Sequence, residues 1–405
     1  MAERALISAA ARLARLPAAA RIAIWYVLAR VVTTGFFLLA AHLAVPASRF
    51  GPDPTLGSFI MGWDAEWYSF IATYGYPSEL PRGDDGFVTT NQWAFMPLYP
   101  VIAGLVGAPF GSYAAGALIV SLVSGYLAVL VLFQLVRERL GETASMWTVV
   151  FFVNGPLAAL FQVGYAETLF LLWLFLALWL VMRRRYAWLY LLIPLMGYTR
   201  PGVLAFSLFL ALFGIWRWFR RRHERLSPRE VVHIVALGLL ALVVGFSWQF
   251  ISAAVTGEPD GYLQTELSWR RNWTGESGGF VPFDGFIRAV EIWFVQWEQK
   301  KELGYVALVA GILAFAAVLL FSRSVARLGV EVRLWSASYL IYLLAVFFPQ
   351  SSIFRLLVPL SPLFGALAVP RSTPWRLGVL AACLLGQWWW IYNMYALANT
   401  FYQIP

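Results

Sequence analysis

Cysteine is almost missing from this chain, and so is charge. The one cysteine, Cys383, lies in a strongly apolar run, which excludes an intramolecular disulfide framework and a cysteine-rich metal site. Three histidines, His42, His223 and His233, are scattered, a poor basis for a histidine-built metal centre. Only 13% of the residues are charged against 60% hydrophobic, and 20 of the 405 are tryptophan, far outside the range of a soluble globular protein. The sequence is that of a polytopic membrane protein. No internal repeat, low-complexity tract or soluble domain breaks it, so residues 1–405 read as one membrane domain. A signal-peptide cleavage pattern is also missing: Arg4, Arg12 and Arg15 precede an apolar run long enough to be expected to stay as an anchor.

Apolar runs of about 17 to 25 residues can cross the hydrocarbon core as helices. Eleven such spans are expected, near 21–45, 112–136, 143–163, 164–182, 186–199, 202–219, 230–256, 303–322, 333–349, 353–370 and 375–396. The fifth, sixth and tenth are short, and Thr199-Arg200-Pro201-Gly202 separates the fifth and sixth, which together could form a hairpin that does not cross fully.

With residues 1–20 as a cytoplasmic arm, 20 of the 30 basic residues fall on the inner side and 15 of the 21 acidic residues on the outer. Topology explains the net charge of +9 better than a nucleic-acid partner does. The expected location is a bacterial plasma membrane, since many Arg, Ala and Leu suggest a high-GC genome. Two outer segments, 46–111 and 257–302, are too long to be simple connectors. Their Pro, Gly and aromatic content predicts short helices lying at the headgroup level.

The stretch that organises the rest is Met61 to Pro77, MGWDAEWYSFIATYGYP, which sets Asp64 and Glu66 among Trp63, Trp67 and Tyr68. Ionisable groups at membrane depth are costly and become functional candidates for that reason. Asp64 is either a helix N-cap accepting backbone N–H groups or a general base acting on a sugar or lipid hydroxyl. Indoles around a carboxylate favour its neutral form unless a cation sits near. Glu66, two positions on, faces another side of a helix and suits hydrogen bonding to an acceptor. Glu167, in FQVGYAETLF, either caps its helix or contacts substrate hydroxyls. Arg200, in MGYTRPG, and Arg355, in QSSIFRLLVP, stand beside helix breaks. Each either snorkels to headgroups or holds a lipid phosphate bidentately. Trp269, Trp273, Trp293 and Trp297, and the run Trp388-Trp389-Trp390, are best read as an interfacial belt, with sugar stacking as the alternative for the first four.

The segments WDAEWYSFIATYGYP, QWAFMPLYP, VNGPLAALFQVGYAETLF, GYTRPG and FRLLVPLSPLF, in that order between about 61 and 365, resemble the PIG-V mannosyltransferases and their bacterial relatives. The resemblance implies an all-α membrane protein of the GT-C type with about eleven transmembrane helices and interfacial helices in its outer loops. It implies transfer of mannose from a polyprenyl-phosphate donor to a lipid or glycolipid acceptor on the non-cytoplasmic face. Asp64 would then be the catalytic base, with Glu66, Glu167, Arg200, Arg355, Trp63 and Tyr68 as substrate-binding residues. No cofactor is expected, although Asp64 with Glu66 could hold a divalent metal. A transporter or flippase of a lipid-linked sugar is the alternative, but it calls for repeat symmetry and charges near the midplane that are not evident. A scaffolding protein, the third reading, would need none of Asp64, Arg200 and Arg355.

Overall fold

The computed structural model describes residues 16–275, 278–399 and 403–405, with the side chain of Trp273 outside the described residues. The arginines of the N-terminal arm up to Arg15 also lie outside them. The described chain is helical throughout and holds one isolated bridge, between Arg82 and Val88. Helix α1 runs over Ala18–His42, followed by α2 (Leu56–Ile60), α3 (Asp64–Tyr74) and α4 (Leu98–Gly107). Then come α5 (Tyr113–Leu140), α6 (Glu142–Val153), α7 (Glu167–Met182), α8 (Leu189–Thr199), α9 (Val203–Arg220) and α10 (Pro228–Thr256). The remainder is α11 (Gly261–Thr274), α12 (Asp284–Gln296), α13 (Lys301–Phe321), α14 (Val330–Val346) and α15 (Thr373–Ile391).

Five of these, α1, α5, α9, α10 and α13, are long and apolar enough to cross a membrane. The other expected spans coincide with shorter or broken helical segments, except the last, where α15 is long enough at 19 residues but less apolar, and the protein is an integral membrane protein. Helices α2 to α4 occupy the first long connecting segment, and α11 and α12 the second, as their composition predicted.

Two spans differ from the expected continuous helices. The third stops at Val153, because Asn154-Gly155-Pro156 ends the helix before a short 3-10 turn at Ala158–Phe161. Carbonyls freed at such a break need donors where water is excluded. Arg30, midway along α1 and buried, supplies them, donating to Val153 O at 2.6 Å and Ala158 O at 2.5 Å with its guanidinium over the Phe161 ring. The tenth span is likewise broken, into Ile353–Leu356, Val358–Leu363 and Phe364–Ala368, since Pro359 and Pro362 interrupt regular helix bonding. Helix α14 satisfies it from the side: Tyr339 Oη donates to Leu356 O at 2.7 Å and Trp335 Nε1 to Pro359 O at 2.9 Å.

The charges separate the bundle into two ends. At one end Arg217 is buried against Glu230 (Nε to Oε1, 3.0 Å) and Glu224 (2.8 Å), Arg184 also reaches Glu224, and Arg139 pairs with Glu331. Helices α8 and α9 run between this basic end and the other, where both long connecting segments gather. There α4 lies hard against α5: a Cβ on Gly116 would sit 2.0 Å from Ala103 O and 2.5 Å from Gly107 N, so only glycine permits the approach. Trp390 is buried and not part of an exposed belt, while Trp389 remains half exposed. The belt reading therefore fails for Trp390, whose place on α15 turns it into the core.

Candidate active site

Four segments far apart in sequence each deliver one charged side chain to the same place. Asp64 is the first residue of α3, behind Trp63, whose backbone is left-handed (φ 57°) and offers no side-chain cap. Asp64 is thus not the N-cap, and its carboxylate is spent on Arg355 Nη1 at 2.5 Å. Glu167 is the first residue of α7, buried, and placed where a helix N-terminus favours a negative charge. Its Oε1 lies 3.4 Å from Arg355 Nε and 3.5 Å from Arg200 Nη1.

Local sequence explains both arginines. Pro201 forces the residue before it out of the helical region. Arg200 is accordingly extended (φ −160°, ψ 147°), α8 ends at Thr199, and Gly202 takes a φ of 135° that a side chain would resist. The guanidinium thereby turns in to Glu167 and does not snorkel away, since Arg200 is only 8% exposed. Arg355 comes from the short helix ahead of Pro359, and its guanidinium lies over the Tyr165 ring at 5.1 Å.

The cluster is balanced, with two carboxylates and two guanidiniums, yet its donors are not used up. Arg355 Nε is buried without a hydrogen bond, and the Arg200 side chain makes none among the described residues, its contact with Glu167 being the ion pair alone. A pair of arginines with unspent N–H groups beside two carboxylates can accept an anion and a hydroxyl group together.

The remaining expected residues surround this core in unequal ways. Tyr68, one turn after Asp64, packs edge-on against Phe95 and Tyr99 at 5.3 and 5.0 Å. Burial pushes its phenol well above the ordinary range, Glu167 and Asp64 add to this, and Arg200 and Arg355 oppose it. Trp63 is buried and donates its Nε1 to Met394 O at 3.1 Å, so it anchors the start of α3 on the π-helical turn Tyr392–Leu397. Glu66 is not brought into the cluster: it pairs with Arg49, whose guanidinium covers the Trp63 ring. Trp269 is held edge-on by Trp67 and Phe95 at 6.0 and 6.2 Å, which joins α11 to α3. Trp293 donates to Pro349 O at 2.8 Å, and Trp297 stays exposed. Among the described residues no three His, Cys, Asp or Glu side chains gather as metal ligands.

One acidic residue that the sequence reading passed over is Glu266 on α11, whose carboxyl is pushed up by burial to about 7. No motif marks it, and only the fold, which buries its carboxyl, reveals it.

No family model matches the chain, and no curated protein matches it in sequence. Among solved structures it is similar to ArnT from Cupriavidus metallidurans in the apo state, with a TM-score of 0.50 and 16% identity over 94% of this chain and 66% of that one. The fold is of the GT-C type. Weaker likenesses are ArnT from the same organism bound to undecaprenyl phosphate (TM-score 0.48, 16% identity, 88% of this chain and 62% of that one) and an archaeal oligosaccharyltransferase. The latter is AglB from Archaeoglobus fulgidus in complex with an inhibitory peptide and a dolichol-phosphate (TM-score 0.45, 15% identity, 93% and 56%). The chain spans less than two thirds of the length of these solved proteins.

Proposed function

We infer that this GT-C protein is an inverting glycosyltransferase that moves a sugar, mannose by its sequence motifs, from a polyprenyl phosphate to a lipid or glycolipid acceptor. The observation that carries the reading is the meeting of Asp64, Glu167, Arg200 and Arg355 from four separate segments. A site for such transfer needs a base for the attacking hydroxyl and positive charge for the departing phosphate, and these four side chains provide both.

In this mechanism the acceptor oxygen attacks the anomeric carbon as the bond from that carbon to the phosphate oxygen breaks. The electron pair leaves with the polyprenyl phosphate, and the hydroxyl proton passes to the Asp64 carboxylate. Inversion of a β-linked donor yields an α-glycoside. Arg200 and Arg355 hold the phosphate, and Arg355, drawn toward it, releases Asp64 to take the proton. Glu167 fixes both guanidiniums and meets sugar hydroxyls. The excess of basic residues at the opposite end of the bundle supports placing the site on the non-cytoplasmic face of a bacterial plasma membrane, with the N-terminus inside.

The test is transfer by purified protein from a panel of polyprenyl-phosphate sugars, with and without chelator. Covalent modification of an acceptor lipid, seen by mass spectrometry, supports the reading. Movement of the lipid-linked sugar across a vesicle membrane without any modification would replace it with the flippase.

A further inference from the structure

At the basic end of the bundle, away from the four clustered charges, α1, α6 and α15 pack on one another around a cavity of about 430 Å³. Arg21 and Trp25 line it from α1, Glu142, Met146 and Val150 from α6, and Leu377 from α15. Arg139, whose pair with Glu331 marks this end, lies in the last turn of α5, just before Glu142 opens α6.

All three helices start at this end, so position along each one measures depth. Arg21 and Glu142 stand in the first turns of α1 and α6. Trp25 and Met146 follow on the same faces one turn deeper, and Val150 lies a turn beyond Met146. The cavity is therefore charged at its shallow end and apolar further in, the order of headgroup and chain in a phospholipid.

Charge at the shallow end is uneven. Arg21 pairs with Glu142, and Arg137 reaches the same carboxylate at 3.8 Å, so two guanidiniums share one negative charge. Arg376, whose guanidinium lies over the Trp147 ring at 5.6 Å, adds another positive charge but spends its donors on Ala368 O (3.1 Å) and Pro370 O (2.9 Å). Arg21 keeps one in reserve: its Nε is buried with no hydrogen-bond partner among the described residues. The N-termini of α1 and α6 add to the positive potential, since neither Pro17 nor Gly141 supplies a side-chain cap.

A neutral lipid would leave the Arg21 donor unanswered, and a free phosphate would leave the apolar walls uncovered. A phosphodiester joined to hydrocarbon chains meets both needs, and its chains cover Leu377, which is otherwise exposed. We propose that this cavity binds an anionic phospholipid, with Arg21 holding the phosphodiester, Arg137 beside it, and the chains lying along Trp25, Met146 and Leu377. Basic pockets between membrane helices recognise lipid headgroups by the same physics. The inference stands apart from the glycosyl-transfer reading, because the cavity and Asp64 lie at opposite ends of the bundle.

Full-length protein in a neutral detergent is titrated calorimetrically with three probes: dioctanoyl phosphatidylglycerol, dioctanoyl phosphatidylcholine, and glycerophosphoglycerol, which is the anionic headgroup without chains. The parent is expected to bind phosphatidylglycerol about tenfold more tightly than phosphatidylcholine, and glycerophosphoglycerol not measurably. Arg21→Gln is expected to abolish that preference. Glu142→Gln removes the competing carboxylate and is expected to tighten phosphatidylglycerol binding by about threefold, whereas mere damage to the packing would weaken binding in both variants. Equal binding of the two lipids by the parent overturns the proposal, as does an undiminished preference in Arg21→Gln. Binding of glycerophosphoglycerol as tight as that of the lipid would make this a site for a soluble phosphodiester and overturn the lipid assignment. If Arg21→Gln does not fold, Glu142→Gln decides alone, and unchanged or weaker binding of phosphatidylglycerol contradicts the proposal.

Discussion

Arg355 Nη1 donates to the Asp64 carboxylate at 2.5 Å across 291 positions of sequence, while its Nε lies 3.4 Å from Glu167. A single planar guanidinium therefore ties the start of α3 to the start of α7. Lysine offers a point charge and no fork, so it cannot hold both carboxylates in this way. Arg355→Lys is expected to lower kcat/KM for sugar transfer by roughly ten- to a hundredfold, and Arg355→Gln by more, since it leaves two carboxylates facing each other without their shared cation. Steady-state rates for the two variants check the order.

Arg200 meets Glu167 alone and keeps its other N–H groups free of hydrogen bonds among the described residues. If those groups hold the donor phosphate, Arg200→Gln raises KM for the lipid-phosphate donor by about tenfold or more and leaves KM for the acceptor unchanged. Varying each substrate separately distinguishes this from a general loss of fold.

Glu266 predicts a pH dependence of stability. Its carboxyl titrates near 7 in the folded protein, above the 4.5 of an unperturbed glutamate, because burial disfavours the charge. Between those values the folded state binds more protons than the unfolded one, so stability falls as pH rises from about 4.5 to 7 and levels off above. Its electrostatic partners are the phenols of Tyr262 on its own helix and Tyr342 on α14. Neither changes charge in that window. Thermal unfolding of Glu266→Gln, compared with the parent across pH 4.5 to 8, is expected to lack this component.

Two substitutions away from the site test the packing that positions it. Gly116→Ala drives a Cβ into the backbone of α4 and is expected to destabilise by roughly 1–3 kcal/mol or more, the range for forced overpacking. At the basic end Arg217→Met strands the buried Glu230 and is expected to cost about 3 kcal/mol, toward the low end for breaking a buried pair. Denaturation in detergent measures both.

The helical membrane architecture was legible because long apolar runs have few other uses, and the break at Arg200 because Pro201 and Gly202 have known backbone demands. Asp64, Glu167, Arg200 and Arg355 stood out as charges in apolar surroundings, which is a signal that composition alone carries. Their mutual contact was not legible, since nothing local relates residues 64 and 355. Glu66 drew attention through proximity to Asp64 in sequence, and a helix turns such neighbours onto different faces. Glu266 escaped because a glutamate followed four residues later by an arginine normally reads as a solvated pair. Arg30 was visible as a charge within a span, but its task of capping the broken end of α6 depends on a turn more than a hundred residues away.

In the proposed mechanism the Asp64 carboxylate takes the proton of the attacking hydroxyl. Asp64→Asn keeps the shape of the side chain and removes its basicity. In purified protein supplied with a polyprenyl-phosphate sugar and a lipid acceptor, the variant is expected to bind the donor like the parent and to transfer sugar slower by about a hundredfold or more. Transfer by Asp64→Asn at a near-parental rate would show that Asp64 is not the base.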